Sequence, residues 1–528
     1  MDSRFEKWKK THDMSDFSYR QMEQIKSGLE QGLTDEQVGA YADPIFNNDQ
    51  MEQIRRGYEN GLTDEQVRSY TDPKFSGDQM EGICKGYQMG LTDNQIQTFA
   101  DPRYDKFQMI EIWRGYAAGL TSEQIRKYAD PELNVNQMEV IIEGYRKGLT
   151  DEKIQIVADK RYDWLQMKQI VDGYTDGQTD EQIRVYANPK FDSNQMGQIY
   201  AGFQNGLSMK QVCIYADPKF NDSQMAEIRW GMEHKLTEDQ IRTYADVKFD
   251  DHQMHQIRKG YEHGLTAAQV KVFADPIFDD DQMFQIRMGY IDGLTDEQVQ
   301  SYADPKYDNF QMVDIYLGYM DGLTREQIRT FNDPKFDEHQ MSQIRYGINH
   351  GLSEAQVQIF ANSKYSGNQM EQIRQGLEDG LTDAQVKIYA NPKYDEDQMK
   401  VIRQGFEDGL TDEQVRSYAD PKYDNYQMEN IYLGYLDGLP EEKIRVYADP
   451  KYDSFQMNQI RAGYECGLTD DLIKLYADRD LPSEKMEKIR LGLQKKFTNE
   501  LIGEPDPSYK EDEKVKENEK EEDGEMDF

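Results

Sequence analysis

Histidine forms the densest group of potential metal ligands in this chain. His234, His252, His255 and His263 lie close together, and His252 and His255 are an i, i+3 pair, which a helix would place on one face. Zinc would require such ligands to converge at about 2.0–2.1 Å on a single ion. Histidines at shifting positions in a polar chain are more simply solvated side chains, so no metal is expected. The run Asp279-Asp280-Asp281 lacks the alternating ligands and central glycine of a calcium loop, and reads as a helix start where the dipole favours acid. Cys84, Cys213 and Cys466 are odd in number and far apart, so reduced thiols are expected rather than a disulfide framework or a zinc site. No P-loop, Gly-x-Ser-x-Gly elbow or His-Glu-x-x-His motif occurs, and the sequence assigns no catalytic residue and no cofactor.

Aromatic side chains suggest interface chemistry instead. A Gln-Met pair recurs every 29 residues from Gln21-Met22 to Gln456-Met457, and Lys485-Met486 ends the series. The residue before the pair is usually polar but is aromatic at Phe107, Phe310, Tyr426 and Phe455. Three of these copies carry a second aromatic six positions later: Trp113, Tyr316 and Tyr432. Elsewhere that later position is often arginine, as at Arg287, Arg345 and Arg403. Aromatics and arginines are the residues that most often anchor protein interfaces. Phe107, Trp113, Phe310, Tyr316, Tyr426 and Tyr432 are therefore the expected partner-binding residues, with local packing as the competing explanation.

The elements that would position them follow from the repeat, seventeen copies of one 29-residue unit without insertion or deletion. The copy at residues 398–426 is representative. Asp395-x-x-Gln398 and Thr411-x-x-Gln414 are capping boxes that start two helices. Met399, Ile402 and Phe406 make an apolar stripe on the first helix, and Val415, Tyr418 and Ala419 on the second. The recurrent glutamines are expected to cap and the methionines to pack. Gly405 represents a mid-helix glycine present in every copy; its cost of about 1 kcal/mol relative to Ala implies close approach by a neighbouring helix. Gly409 suits a left-handed helix end, with Lys235 and Lys496 in its place in two copies. Asp420-Pro421 stops the second helix.

A hairpin this small cannot bury its stripe alone. The expected fold is thus all-α, an α-solenoid or superhelical rod of seventeen helix-turn-helix repeats. Adjacent helices at roughly 8–10 Å imply a contour on the order of 150 Å. Residues 1–17 are expected to cap one end, residues 18–502 to form the solenoid, and the acidic residues 503–528 to be disordered. Leu491, Leu493, Phe497, Leu501 and Ile502 are expected to close the second end.

The string Gln-Met-x-x-Ile-x-x-Gly-x-x-x-Gly-Leu, followed by Tyr-Ala-Asp-Pro-x-Phe, resembles a short tandem repeat of uncharacterised bacterial and mobile-element proteins. The resemblance covers nearly all of residues 18–497. Here the middle of the unit reads Thr-Asp-Glu-Gln-Val, where that repeat has a shorter Asp-Val-Ser type of link. It implies a helical solenoid and supplies no activity or functional residue.

Composition narrows the function further. Hydrophobic residues make up 37% and charged residues 31% of the 528, which suits a thin core. A net charge of −38 argues against binding nucleic acid directly, because phosphate affinity comes from clustered Lys and Arg. The N-terminal stretch resembles no signal peptide, and no apolar run approaches the roughly 20 residues of a membrane helix. A cytoplasmic monomer that does not bind membranes is expected. The leading reading is a non-enzymatic scaffold for a protein or peptide partner. The alternatives are an acidic nucleic-acid mimic that inhibits a DNA-binding enzyme, or a structural spacer rod. Mimicry would require about one charge per 1.7 Å of duplex axis, several-fold denser than about two net charges per unit.

Overall fold

A computed structural model describes residues 4–502, with side chains to residue 496. Among the described residues 34 helices follow one another and no strand occurs. The chain divides into two compact parts, Met1–Gly264 and Leu265–Phe528, and each is an α-solenoid in which consecutive helices pack on their sequence neighbours. Within each part the first helices of successive repeats lie side by side. Short second helices pack on their own first helix and, in many repeats of each part, on the next one as well. The expected disorder of residues 503–528 lies outside the described residues.

Local chemistry explains the regularity. The first helix of the representative repeat, Glu396–Glu407, starts at Asp395. The Asp395 carboxylate accepts from the Gln398 N–H at 2.8 Å, and Gln398 Oε1 accepts from the Asp395 N–H at 2.9 Å. The second helix, Asp412–Tyr418, has the same reciprocal cap between Thr411 and Gln414. Met399 and Ile402 are fully enclosed, as are Val415 and Tyr418. Ala419, expected in the second stripe, is only half-buried, because it is the residue where the helix ends. Asp420 then forms a turn, its carboxylate accepting the Lys422 N–H at 3.1 Å. That turn returns the chain to the next cap.

The glutamine does more than cap. Its amide Nε2 donates to a backbone carbonyl 25 residues on, in the connector that leads to the following repeat. Gln50 reaches Phe75 O at 2.6 Å, Gln195 reaches Phe220 O at 2.6 Å and Gln398 reaches Tyr423 O at 2.6 Å. One side chain thereby satisfies a helix start and a carbonyl of the connector to the next first helix, and Gln50, Gln195 and Gln398 are buried while doing so. A second link runs between first helices 31 residues apart. The arginine five residues after the glutamine donates back across the junction: Arg374 Nε to Gln343 Oε1 at 2.8 Å, Arg258 to Glu227 at 2.7 Å and Arg345 to Asp314 at 3.1 Å.

The mid-helix glycine faces its own repeat's second helix. A Cβ built on Gly405 would land on the Tyr418 hydroxyl, and one on Gly289 on the Tyr302 hydroxyl. On Gly318 it would meet Ile328 Cδ1 at 2.5 Å and Phe331 Cζ at 2.9 Å. The close approach is therefore made by side chains of the paired helix, not by its backbone. The glycines at the hairpin turn have φ between +75° and +92°, and Lys235 adopts φ +66° in the same place.

The last copy departs from the expected helix pair. Ser483–Ile502 is one continuous helix, with no left-handed glycine to end it at Lys496. Nothing lies within 4 Å of a Cβ on Gly492, and Leu491, expected to help close the end, is 49% exposed. At the other end, helix Arg4–Thr11 packs on the first repeat through buried Trp8.

Candidate functional site

Because capping fixes where each first helix begins, the residue just before the glutamine always points from the first turn. Phe107, Phe310, Tyr426 and Phe455 are 62%, 61%, 61% and 71% exposed there. Burying an aromatic ring contributes to core and interface energetics alike, and these four leave most of that contribution unused.

Their expected partners occupy different surroundings. Tyr316 and Tyr432 are half-buried. The Tyr316 hydroxyl donates to the carboxylate of Asp292 at 2.7 Å, and that of Tyr432 to Asp408, in each case at the end of the preceding first helix. The bond to Asp292 and then burial push the Tyr316 hydroxyl up to about 12. For Tyr432 burial leads and the Asp408 bond follows, again to about 12. Both therefore remain protonated donors across the physiological range. Trp113 is half-buried beneath Arg114, whose guanidinium carbon is 5.9 Å from the ring centre, and its Nε1 is enclosed without an acceptor. The structure thus separates the proposed pairs into an outward member and a member packed at the junction between repeats.

Helix geometry accounts for this. Six residues advance a helix by roughly 600°, about 120° short of two turns, whereas seven bring a side chain back within about 20° of the same face. The residues sharing a face with the exposed aromatic are consequently those three, four and seven positions later. Two grooves between consecutive first helices display that set. One, between Asn425–Leu436 and Ser454–Glu465, is lined by Tyr426, Glu429, Asn430, Leu433, Phe455 and Arg461 among others. The other, between Asp222–Glu233 and Asp251–Glu262, is lined by Ala226, Glu227, Trp230, His252 and His255 among others. Sequence reasoning overlooked Trp230 and Tyr346 as members of this face, although the seven-residue spacing was available to find them.

The second groove contains a charge network. Glu227 is buried and receives Arg258 Nε at 2.7 Å; His255 Nδ1 lies 3.2 Å from Glu227 Oε1 and 3.0 Å from Arg258 Nη2. His234 and His263 each place Nδ1 2.7 Å from a carbonyl of their own helix. Among the described residues no three His, Cys, Asp or Glu side chains are grouped to hold a metal ion. The third buried carboxylate of this type, Glu111, faces Ile142 where Glu227 and Asp314 face an arginine. Its partner is Arg114 on its own helix, at 2.6 Å, and burial raises its carboxyl above the ordinary range.

Comparison with known proteins returned no match, either to a family model or to a curated protein, so the site rests on its own geometry.

Proposed function

We propose that the chain is a non-enzymatic repeat scaffold that takes up a protein or peptide partner on the faces that its first helices form within each part. The observation that carries this reading is the exposure, 61–71%, of Phe107, Phe310, Tyr426 and Phe455 at one repeat position. Rigid rings presented on capped helices bind at low entropic cost, and aromatic anchors dominate interface energies. The same chemistry favours a protein partner over the alternative of an acidic nucleic-acid mimic, which would present ordered carboxylates rather than rings. The scaffold acts as a monomer in the cytoplasm, without cofactor or metal, and its repeat is kin to the tandem helical repeats of bacterial and mobile-element proteins. No helix among the described residues is long and apolar enough to cross a membrane.

The test is capture from the native cell at two salt concentrations, comparing the unaltered chain with a variant carrying Phe107→Ala, Phe310→Ala, Tyr426→Ala and Phe455→Ala. The variant is expected to lose the captured partner while keeping its helical signal. Recovery of the same partner by both chains would refute the assignment of the face.

A further inference from the structure

The exposed aromatics differ in whether the chain supplies them with a cation. Trp230 has the guanidinium carbons of Arg229 and Arg258 at 5.6 and 5.7 Å from its ring, and Tyr346 has those of Arg345 and Arg374 at 4.7 and 5.9 Å. Phe284 carries Arg287 at 5.1 Å. Trp230 and Tyr346 occupy corresponding positions on their own first helices, so a guanidinium laid against an aromatic is one way the chain completes this surface. Tyr426 and Phe455 are more exposed than any of the three, and among the described residues neither has a cation over its ring.

The groove between them shows why. Its one arginine, Arg461, is turned to other work: Nη1 donates to Asp437 at 3.2 Å and to Glu465, and Nε to Asn430 at 3.3 Å. Helix Asn425–Leu436 carries no basic residue, and the exposed Glu429 in the groove has no ion pair among the described residues. The groove therefore combines two free rings, the apolar flank of Leu433 and one uncompensated carboxylate, in a chain of net charge −38.

We propose that this groove binds a basic peptide segment, an arginine of which stacks on Tyr426 and Phe455 and pairs with Glu429 while neighbouring apolar residues cover Leu433. The proposal rests on the scaffold reading and names the partner's chemistry. Arginine is favoured over lysine because its planar, weakly hydrated guanidinium stacks on a ring and pairs with a carboxylate at the same time.

The experiment is fluorescence anisotropy on the full chain with a dye-labelled dodecapeptide of alternating Arg and Leu, beside matched peptides with Lys or Gln in place of Arg. The Arg peptide is expected to bind severalfold more tightly than the Lys peptide and at least tenfold more tightly than the Gln peptide. Tyr426→Ser with Phe455→Ser should weaken it at least tenfold, and Glu429→Gln severalfold. Tyr426→Leu with Phe455→Leu, which keeps apolar area but removes the rings, should abolish the preference for Arg over Lys. Equal binding by the Ser variant would mean that diffuse negative charge suffices and would overturn the proposal, as would equal binding of the Gln peptide. Native-partner capture separates this failure from failure of the scaffold reading. If capture still depends on the four exposed aromatics, only the basic-peptide assignment falls; if it does not, both fall.

Discussion

A Cβ placed on Gly405 would coincide with the hydroxyl of Tyr418, thirteen residues later in the paired helix. Tyr418 is fully buried and its hydroxyl has no hydrogen-bond partner, so the oxygen occupies the glycine's space without a bond that fixes it there. Gly405→Ala should destabilise its repeat by about 1–3 kcal/mol through overpacking, partly offset by the better helix propensity of alanine. Combined with Tyr418→Phe, which removes the colliding oxygen but keeps the ring, the same change should cost clearly less, with a residual penalty of the kind the Phe331 ring imposes at Gly318. Hydrogen exchange of the amides in residues 398–426 reads this locally. Additive behaviour of the two substitutions would refute the contact.

The glutamine staple gives a pH-dependent prediction. In Gln398→Glu the carboxylate still accepts from the Asp395 N–H, but its second oxygen faces the Tyr423 carbonyl in place of an amide donor. The loss at neutral pH should be about 1–3 kcal/mol. Repulsion raises the folded-state carboxyl above its unfolded value. The variant should therefore match the native chain below about pH 4 and fall behind as pH rises through the ordinary carboxyl range. Unfolding midpoints measured across pH check this, and a gap that stays constant with pH would count against it.

Glu111 carries the same sign without mutation. Its carboxyl is raised chiefly by burial, with Arg114 opposing, so its contribution to stability is present below the unfolded carboxyl range and declines as pH rises through the raised value. Glu111→Gln should accordingly be more stable than the native chain at neutral pH and indistinguishable from it below about pH 4. Ile142→Arg would supply the cross-junction partner that Arg258 provides to Glu227, and should return the Glu111 carboxyl toward or below its ordinary range. Carboxyl titration followed by NMR distinguishes the two outcomes.

The divided aromatic pairs predict divided phenotypes. Alanine at Phe107, Phe310 or Tyr426 should change stability by no more than about 0.5 kcal/mol and weaken partner capture. At Trp113, Tyr316 or Tyr432 it should cost about 1–3 kcal/mol, because a half-buried ring is removed from between helices, with capture reduced only as far as the fold is. Identical behaviour of the two sets in denaturant titrations would remove the distinction.

Much of the fold was legible in the sequence because its causes are local. A capping box needs only residues three apart, as Asp395 and Gln398 are, and the Met399–Ile402 stripe needs only the helical period. What escaped reading is non-local or has a backbone partner. The Gln398 amide ends on a carbonyl, and a carbonyl leaves no trace in residue type. Arginine pairing 31 residues back did leave a trace: Arg258 with Glu227 and Arg374 with Gln343 stand in register. That trace becomes visible only when successive copies are compared at a one-copy-plus-two offset. The placement of the aromatic pairs escaped reading for a different reason. Paired switching of Phe107 with Trp113 suggested one surface, while a helix turns such residues about 120° apart.

The staples also dictate how a chain like this can change length. Gln369 reaches the Tyr394 carbonyl and Gln398 the Tyr423 carbonyl by the same route, each inside its own 29-residue copy, so removing residues 398–426 takes out a donor together with its own acceptor. Excision or duplication of whole 29-residue blocks leaves every glutamine amide with its carbonyl. A break between a glutamine and its carbonyl at any other spacing strands a buried amide at the seam. Growth by recombination within the gene is thus open to this architecture only in whole units, and a ruler with interchangeable divisions is what such growth produces. A chain of this design can acquire or discard individual surface features, such as the groove at Tyr426, without redesigning the positions on either side.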